Sequence, residues 1–140
     1  MIVHFLQPCL KNPDGLWGLH NLTTGTPIAA NLIRAFDRAS RNAGLLRRDG
    51  LPLDAAIVLA PCSSIHTWFM RFPIDVLFLG KTGRVLAVRR SLPPWRFALR
   101  FGAFAAIEVM AGSARSIEVG HVLAPMLTTP ASEGGRVGAV

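Results

Sequence analysis

The stretch IDVLFLGKTGRVLAVRR, residues 74–90, indicates the fold class because it contains two strand-like segments and a turn between them. IDVLFL is a short, continuous apolar run of the length expected for a buried strand. GKTGR, residues 80–84, has two glycines suited to a tight turn, and RVLAVRR follows it as a second strand. The segment therefore predicts β structure in the middle of the chain.

Segments before this stretch also read as strands. LWGLHNL (16–22) and PIAANLIRAF (27–36) flank the glycine-containing turn TTGT and predict a hairpin. AAIVLA (55–60) is a further buried strand. The segment between them breaks the β pattern: Asp37 is a suitable N-cap and apolar residues follow at helical spacing. We expect one short α-helix near 37–47.

Segments on the C-terminal side extend the pattern. IHTWFM (65–70) and IDVLFL are separated by a breaker with Pro73, so a hairpin is expected over 65–78. AAIEVMA and HVLA supply two later strands. The spacing predicts a mainly β fold, an antiparallel β-sandwich or partly closed barrel of about seven or eight strands. Residues 1–125 are expected to form a single β-rich domain, with 126–140 as a loosely ordered tail.

The composition limits the classes of function. The chain has 140 residues, 51% apolar and 16% charged, and a net charge of +7, nearly all of it from arginine. Such a surface attracts anionic partners. Nucleic acid is disfavoured, since there is no nucleic-acid reading motif and no tyrosine for stacking. No transmembrane segment is expected, because the most apolar stretch, 98–112, contains Arg100 and Glu108.

Cysteine and histidine spacing favours neither a metal nor a cofactor. Cys9 and Cys62 are not part of a Cys-x-x-Cys pair, and two buried free thiols are favoured over a disulfide. The four histidines lack a metal-binding spacing, so no metal and no cofactor are expected. The N-terminus as given lacks a basic export signal, which favours a cytoplasmic location; a signal missing from this start site would favour export.

Chemically active residue types crowd the segment 62–79. Cys62 and His66 resemble a nucleophile and base, but four positions of extended strand separate them by about 13 Å, so no catalytic residues are assigned. Strand alternation places His66, Trp68 and Met70 on one face. These three side chains line a ligand pocket or pack in the core.

Two carboxylates are the strongest candidates for a functional cleft. Asp75 lies in an apolar segment and needs a partner, which is either nearby Arg71 or a backbone group of a turn. Alternatively, Asp75 and Glu108 reach a shared cleft with Arg47 or Arg71. Such a cleft would bind a polar ligand or carry out acid–base chemistry.

Three functions follow from these patterns. The leading hypothesis is a non-enzymatic module that binds a small ligand or a partner protein through the 65–78 segment and Glu108. The second is an acid–base enzyme that uses Asp75 and Glu108. The third is an accessory protein that docks on anionic surfaces through a loop with Trp95 and several arginines, namely Arg89, Arg90, Arg96 and Arg100.

An ordered succession of short motifs resembles the domain of unknown function 192 family over roughly residues 16–124. The matching segments are Gly44-Leu45-Leu46-Arg47, Trp68-Phe69-Met70-Arg71, Pro73-Ile74-Asp75, Gly83-Arg84-Val85, Glu108 with Gly112, and Val119-Gly120. The chain departs from the family pattern at Leu46, at Arg71-Phe72 and at His121, where the family has Met, Lys-Asn-Thr and Asp. The resemblance implies a small β domain whose activity is not established.

Overall fold

The computed structural model describes residues 4–36 and 50–128. This part of the chain is mainly β, as predicted, and contains ten strands and one short helix. In chain order the elements are α1 (Gln7–Lys11), β1 (Trp17–Asn21), β2 (Thr26–Ala29), β3 (Asn31–Ala35), β4 (Ala55–Leu59), β5 (Ser64–His66), β6 (Ile74–Leu79), β7 (Val85–Leu92), β8 (Phe97–Leu99), β9 (Ala105–Met110) and β10 (Leu123–Leu127).

A five-stranded sheet with the order β3-β4-β9-β6-β7 forms the centre. Its inner strands β4, β9 and β6 are buried at nearly every residue. Both of their faces are covered, which explains why their sequences are continuous apolar runs and do not alternate. All neighbouring strands are antiparallel except β3 and β4, which are parallel.

The central sheet is covered on both faces by other β elements. One face packs against a three-stranded sheet, β10-β1-β2, and against α1, through Leu6, Leu19 and Leu123. The other face packs beneath the β5–β8 pair, hereafter the ribbon, through Ile65 and Ala98. The arrangement is sandwich-like, and none of the three sheets in the described residues closes into a barrel.

The structure corrects the hairpin predicted over 65–78. β5 ends at His66 and pairs with β8 in the ribbon, whereas β6 pairs with β7 and β9 in the central sheet. Phe69 has a left-handed backbone with φ 66°, which ends any extended strand. Residues 67–73 therefore cross from the outer layer to the central one, and Met70 and Phe72 are buried between the layers.

Other boundaries also differ from the prediction. The strand β8 and the helix α1 are not apparent in the sequence pattern, and the helix expected near 37–47 lies outside the described residues. β10 continues to Leu127 and Thr128 donates a backbone hydrogen bond to Leu16, so the boundary expected at residue 125 falls inside a strand. The turn before β7 requires glycine at Gly83, because φ is 86° and a Cβ would lie 2.3 Å from the Leu123 carbonyl oxygen.

Candidate binding site

Thr67 is a buried polar residue that joins two loops at one end of the ribbon. Its hydroxyl donates to the Pro93 carbonyl at 2.6 Å and accepts from the Arg96 N–H at 2.8 Å. Its backbone N–H donates to the Arg96 carbonyl, and its carbonyl accepts from the N–H of Trp95. These bonds fix the 67–70 turn against the 93–96 loop.

The two loops, the ribbon and the turn after β8 display six large apolar side chains to solvent. Their exposed fractions run from 38% for Leu99 to 78% for Phe101. On the outward side of the ribbon, Phe97 lies opposite His66, while Ile65 and Ala98 point inward. We call this surface the aromatic face; it consists of Trp68, Phe69, Trp95, Phe97, Leu99 and Phe101.

Two members of the aromatic face have unusual backbone conformations. Phe69 and Trp95 both have φ 66°, a left-handed conformation that costs a bulky residue on the order of 1–3 kcal/mol. Their rings contact each other edge to face, with centroids 4.7 Å apart. Thr67 contributes to holding both conformations, because its carbonyl accepts from the N–H of Trp95 and of Met70. Such strain is most often found at functional sites.

The three residues expected on one wall are divided by the turn at Thr67. His66 and Trp68 are exposed and stacked, with ring centroids 4.7 Å apart and an interplanar angle of 26°. Met70 is buried in the core beneath the ribbon. Alternation fails here because the strand ends at His66.

The surroundings of the aromatic face are basic. Between Ala55 and Ile107 the only acidic residue is Asp75, and it is buried. Arg96 lies between Trp95 and Phe97 in sequence, and Arg100 lies between Leu99 and Phe101. Arg71 is exposed one residue after Met70 and takes part in an interaction of its own. The face therefore combines apolar rings with positive charge.

Asp75 is bonded entirely to backbone groups. Its Oδ1 accepts from the Ser91 N–H at 2.8 Å, and its Oδ2 accepts from Gly112 and Ala114 at 2.9 and 3.0 Å. Ser91 has a left-handed backbone with φ 51°. The carboxylate thus fixes the irregular end of β7 and the turn after β9. Of the two partners expected from the sequence, Arg71 or a backbone group of a turn, these bonds match the backbone group.

Glu108 is buried in β9, on the opposite face of the central sheet from Asp75. In the β6–β9 register Asp75 lies beside Val109, and Glu108 lies beside Val76. Successive side chains on a strand point to opposite faces, and Val109 and Val76 belong to different cores. The shared cleft predicted for the two carboxylates is therefore wrong.

The environment of Glu108 changes its titration. Desolvation by burial raises the pKa of its carboxyl from 4.5 to about 7. Its Oε2 accepts no hydrogen bond from the described residues. Arg47, the expected partner, lies outside the described residues.

The described residues offer no metal site or disulfide. Within 4–36 and 50–128, no three His, Cys, Asp or Glu side chains converge as metal ligands. The Cys9 thiol is buried, and the half-buried Cys62 keeps its thiol, whose Sγ donates to the Ser64 carbonyl. Burial raises the pKa of the Cys9 thiol, an effect opposed by nearby Arg34.

Sequence reasoning missed Thr67 and most of the aromatic face. The sequence pattern places Trp95 in a basic loop, but it leaves Phe69, Phe97 and Phe101 in apolar runs or at no site. A usable signal was present: arginines alternate with aromatic residues over 95–101, which is unusual for a buried strand. Of the predicted arginines, Arg96 and Arg100 are next to members of this surface in the sequence, whereas the Arg90 guanidinium donates to the carbonyls of Ala114 and Ile117.

No helix among the described residues is both long and apolar enough to span a membrane. Two solved structures share the fold. One is a protein of unknown function from Novosphingobium aromaticivorans DSM 12444, with 18% identity, TM-score 0.64, and coverage of 77% of this chain and 82% of that chain. The other is a candidate transcription regulator from Sinorhizobium meliloti 1021, with 17% identity, TM-score 0.69, and coverage of 79% and 92%.

A search of curated proteins found no match in sequence. A family model does match: that of DUF192, described as an uncharacterised ACR, over residues 20–124. This range is well over half of the chain and runs from β1 into β10. The chain therefore belongs to the DUF192 family.

Proposed function

We propose that this domain is a non-enzymatic docking module whose aromatic face contacts the headgroup region of an anionic lipid bilayer. The observation that carries the proposal is the clustering of six exposed apolar side chains on one ribbon and its loops. Clustered exposed apolar residues mark interaction surfaces, whereas scattered ones do not. The left-handed backbones of Phe69 and Trp95 indicate that free energy of folding is given up to display these rings.

The charge around the rings favours an anionic surface. Arg96 lies between Trp95 and Phe97, Arg100 lies between Leu99 and Phe101, and the exposed residues between 55 and 107 include no carboxylate. Each Lys or Arg near an anionic membrane contributes about 1 kcal/mol of attraction. Trp68 and Trp95 suit the interface between water and lipid, because the indole is largely apolar and its N–H remains hydrated, while the phenylalanines add apolar area.

The packing among the rings favours lipid over nucleic-acid bases. Base stacking needs open ring faces, and part of that area is covered because His66 and Trp68 stack on each other and Phe69 packs against Trp95. The exposed edges of these pairs suit shallow insertion among headgroups. Leu99, which is aliphatic, adds apolar area but no stacking surface.

Vesicle flotation tests this function with the full chain. We expect binding to phosphatidylglycerol vesicles and at least tenfold weaker binding to phosphatidylcholine vesicles. Phe101→Ser should weaken binding about tenfold, because burying one such ring contributes roughly 1.5–3 kcal/mol. The matched control is Leu53→Ser, since Leu53 is 74% exposed but lies outside the aromatic face.

Trp95→Gly gives a second test that does not depend on loss of folding. Glycine accepts the left-handed backbone without strain, so the variant should remain folded while it loses affinity for vesicles. The proposal fails if neither vesicle binds, if both lipids bind equally, or if Leu53→Ser weakens binding as much as Phe101→Ser. Stronger retention on a single-stranded oligonucleotide would also overturn it.

A further inference from the structure

An open groove of about 630 Å³ runs beside β7, which is the last strand at one side of the central sheet. The turn containing Arg115 and Glu118 borders the groove, together with Arg100, which follows β8. Arg89 and Arg90 project from β7 itself. We call this feature the arginine groove; it contains no residue of the aromatic face, although Arg100 lies beside both surfaces.

The groove follows a strand edge that is paired only at its start. Val85 pairs with the 120–121 backbone: its N–H donates to the His121 carbonyl and its carbonyl accepts from the Gly120 N–H. Among the described residues, no strand pairs with β7 from Leu86 to Arg90 on this side. Exposed edges of this kind offer backbone donors and acceptors to another extended segment.

The side chains around this edge carry an excess of positive charge. Among the described residues that line the groove, four are arginines and Glu118 is the one carboxylate. Part of the hydrogen-bonding capacity of Arg90 is already used, because its guanidinium donates to the Ala114 and Ile117 carbonyls and thereby holds the bordering turn. Within the described residues, the contacts of Arg89 and Arg115 are long ones, of 3.5 Å, to the nearby Val88 and Gly112 carbonyls.

We propose that the arginine groove binds an extended acidic peptide, which adds to β7 as a further strand of the central sheet. The backbone of the peptide pairs with residues 86–90, and its carboxylates meet Arg89 on one side and Arg115 on the other. Guanidinium groups match carboxylates in geometry and can form two parallel hydrogen bonds with each. Main-chain pairing gives affinity, and the arginines select for acidic side chains.

A strand edge favours a peptide over a nucleic acid in this position. A phosphate backbone would satisfy the arginines but has no regular N–H and C=O pattern to pair with β7. The groove also lacks aromatic side chains among its described lining residues, so bases would find nothing to stack on. The proposal can be tested separately from docking to lipid, because Phe101 does not line the groove and Phe101→Ser should leave peptide binding unchanged.

A labelled peptide, acetyl-Glu-Val-Glu-Glu-Val-Glu-amide, tests the groove by fluorescence anisotropy with the full chain. We expect saturable binding that Arg115→Ala weakens about tenfold, the loss typical of a charge-assisted hydrogen bond. The matched control is Lys81→Ala, which removes one positive charge from an exposed turn outside the groove. Its affinity should stay within about twofold of the parent.

The same peptide with N-methyl groups at alternate residues separates strand addition from simple attraction. It keeps every carboxylate but loses backbone donors, and we expect it to bind at least tenfold more weakly. Amide hydrogen exchange should show new protection over 86–90 in the complex. Equal binding of the methylated peptide, equal losses in Arg115→Ala and Lys81→Ala, no binding at all, or displacement by a polythymidine oligonucleotide at lower concentration would each overturn the proposal.

Discussion

Asp75 illustrates how a single buried carboxylate organises distant backbone. The Asp75 carboxylate accepts hydrogen bonds from three backbone N–H groups. Replacing Asp75 by Asn turns an amide N–H toward at least one of these donors. We expect a loss of about 2–4 kcal/mol of unfolding free energy, because buried donors would be left unsatisfied. Urea denaturation measures this change.

The control for this substitution is Asp54→Asn, at an exposed turn residue, which should change stability by less than about 0.5 kcal/mol. If Asp75→Asn were as stable as the parent, the three backbone hydrogen bonds would contribute nothing measurable. A functional rather than structural role for the carboxylate would then regain support.

Glu108 predicts a specific dependence of stability on pH. Its carboxyl has a pKa of about 7 in the folded chain, against 4.5 as the ordinary value. Below pH 4.5 both states are protonated and burial carries no ionic cost. Between pH 4.5 and about 7 the unfolded state releases the proton while the folded state keeps it, so the unfolding free energy falls by roughly 3 kcal/mol across this window and levels off above it.

Glu108→Gln removes this titration. Relative to the parent, the unfolding free energy of the variant should rise by roughly 3 kcal/mol between pH 4.5 and pH 8. Urea denaturation at several pH values measures it, and Glu118→Gln, at an exposed position, serves as the control. A difference that stays constant with pH would contradict the raised pKa.

Residue patterns in the sequence predicted that Asp75 needs a partner but not which one. Its three donors come from residues 91, 112 and 114, which are distant along the chain. The same limit applies to Glu108, since only the register of β6 and β9 reveals that the two carboxylates point apart. Pairing register depends on long-range packing, which a local pattern does not contain.

At the scale of elements, the hydrogen-bonded contact between the 67–70 turn and the 93–96 loop can be tested directly. Thr67→Val keeps the shape but removes a hydroxyl that bonds Pro93 and Arg96. We expect a loss of about 1–3 kcal/mol and faster amide hydrogen exchange over 93–97. Thr24→Val, at an exposed turn residue, should leave exchange in that loop unchanged; a similar effect from both would contradict the proposed role of Thr67.

Strands that are buried on both faces were the most predictable elements. The apolar runs at 55–60, 74–79 and 105–111 correspond to β4, β6 and β9, because a strand buried on both faces needs apolar residues at nearly every position. The ribbon was not predictable in the same way. β8 is three residues long and exposes Phe97 and Leu99, so its sequence resembles a core strand while its outer face is open to solvent.

At the scale of the whole molecule, the net charge of +7 predicts how lipid docking should respond to salt. Attraction between arginines and an anionic surface is screened within about 10 Å at 0.1 M salt, whereas burial of the rings is not. Affinity for phosphatidylglycerol vesicles should therefore fall by more than tenfold between 0.05 and 0.5 M sodium chloride but should not vanish. Flotation at both salt concentrations measures it.

Two results of the salt series would contradict this prediction. Affinity that does not change with salt would exclude a contribution from the arginines. Complete loss at high salt would show that the rings remain outside the bilayer and that the aromatic face is not the contact surface.

The pairing of β1 with β10 has a consequence for how the protein is made. Trp17 lies opposite Leu127 and Asn21 opposite Leu123, so the two partners are about a hundred residues apart. Translation at about 5–20 residues per second separates their synthesis by roughly 5–20 s. During that interval β1 has emerged from the ribosome without the strand that completes its sheet. The nascent chain therefore carries an open apolar edge, which chaperones can recognise, until the last strand is released.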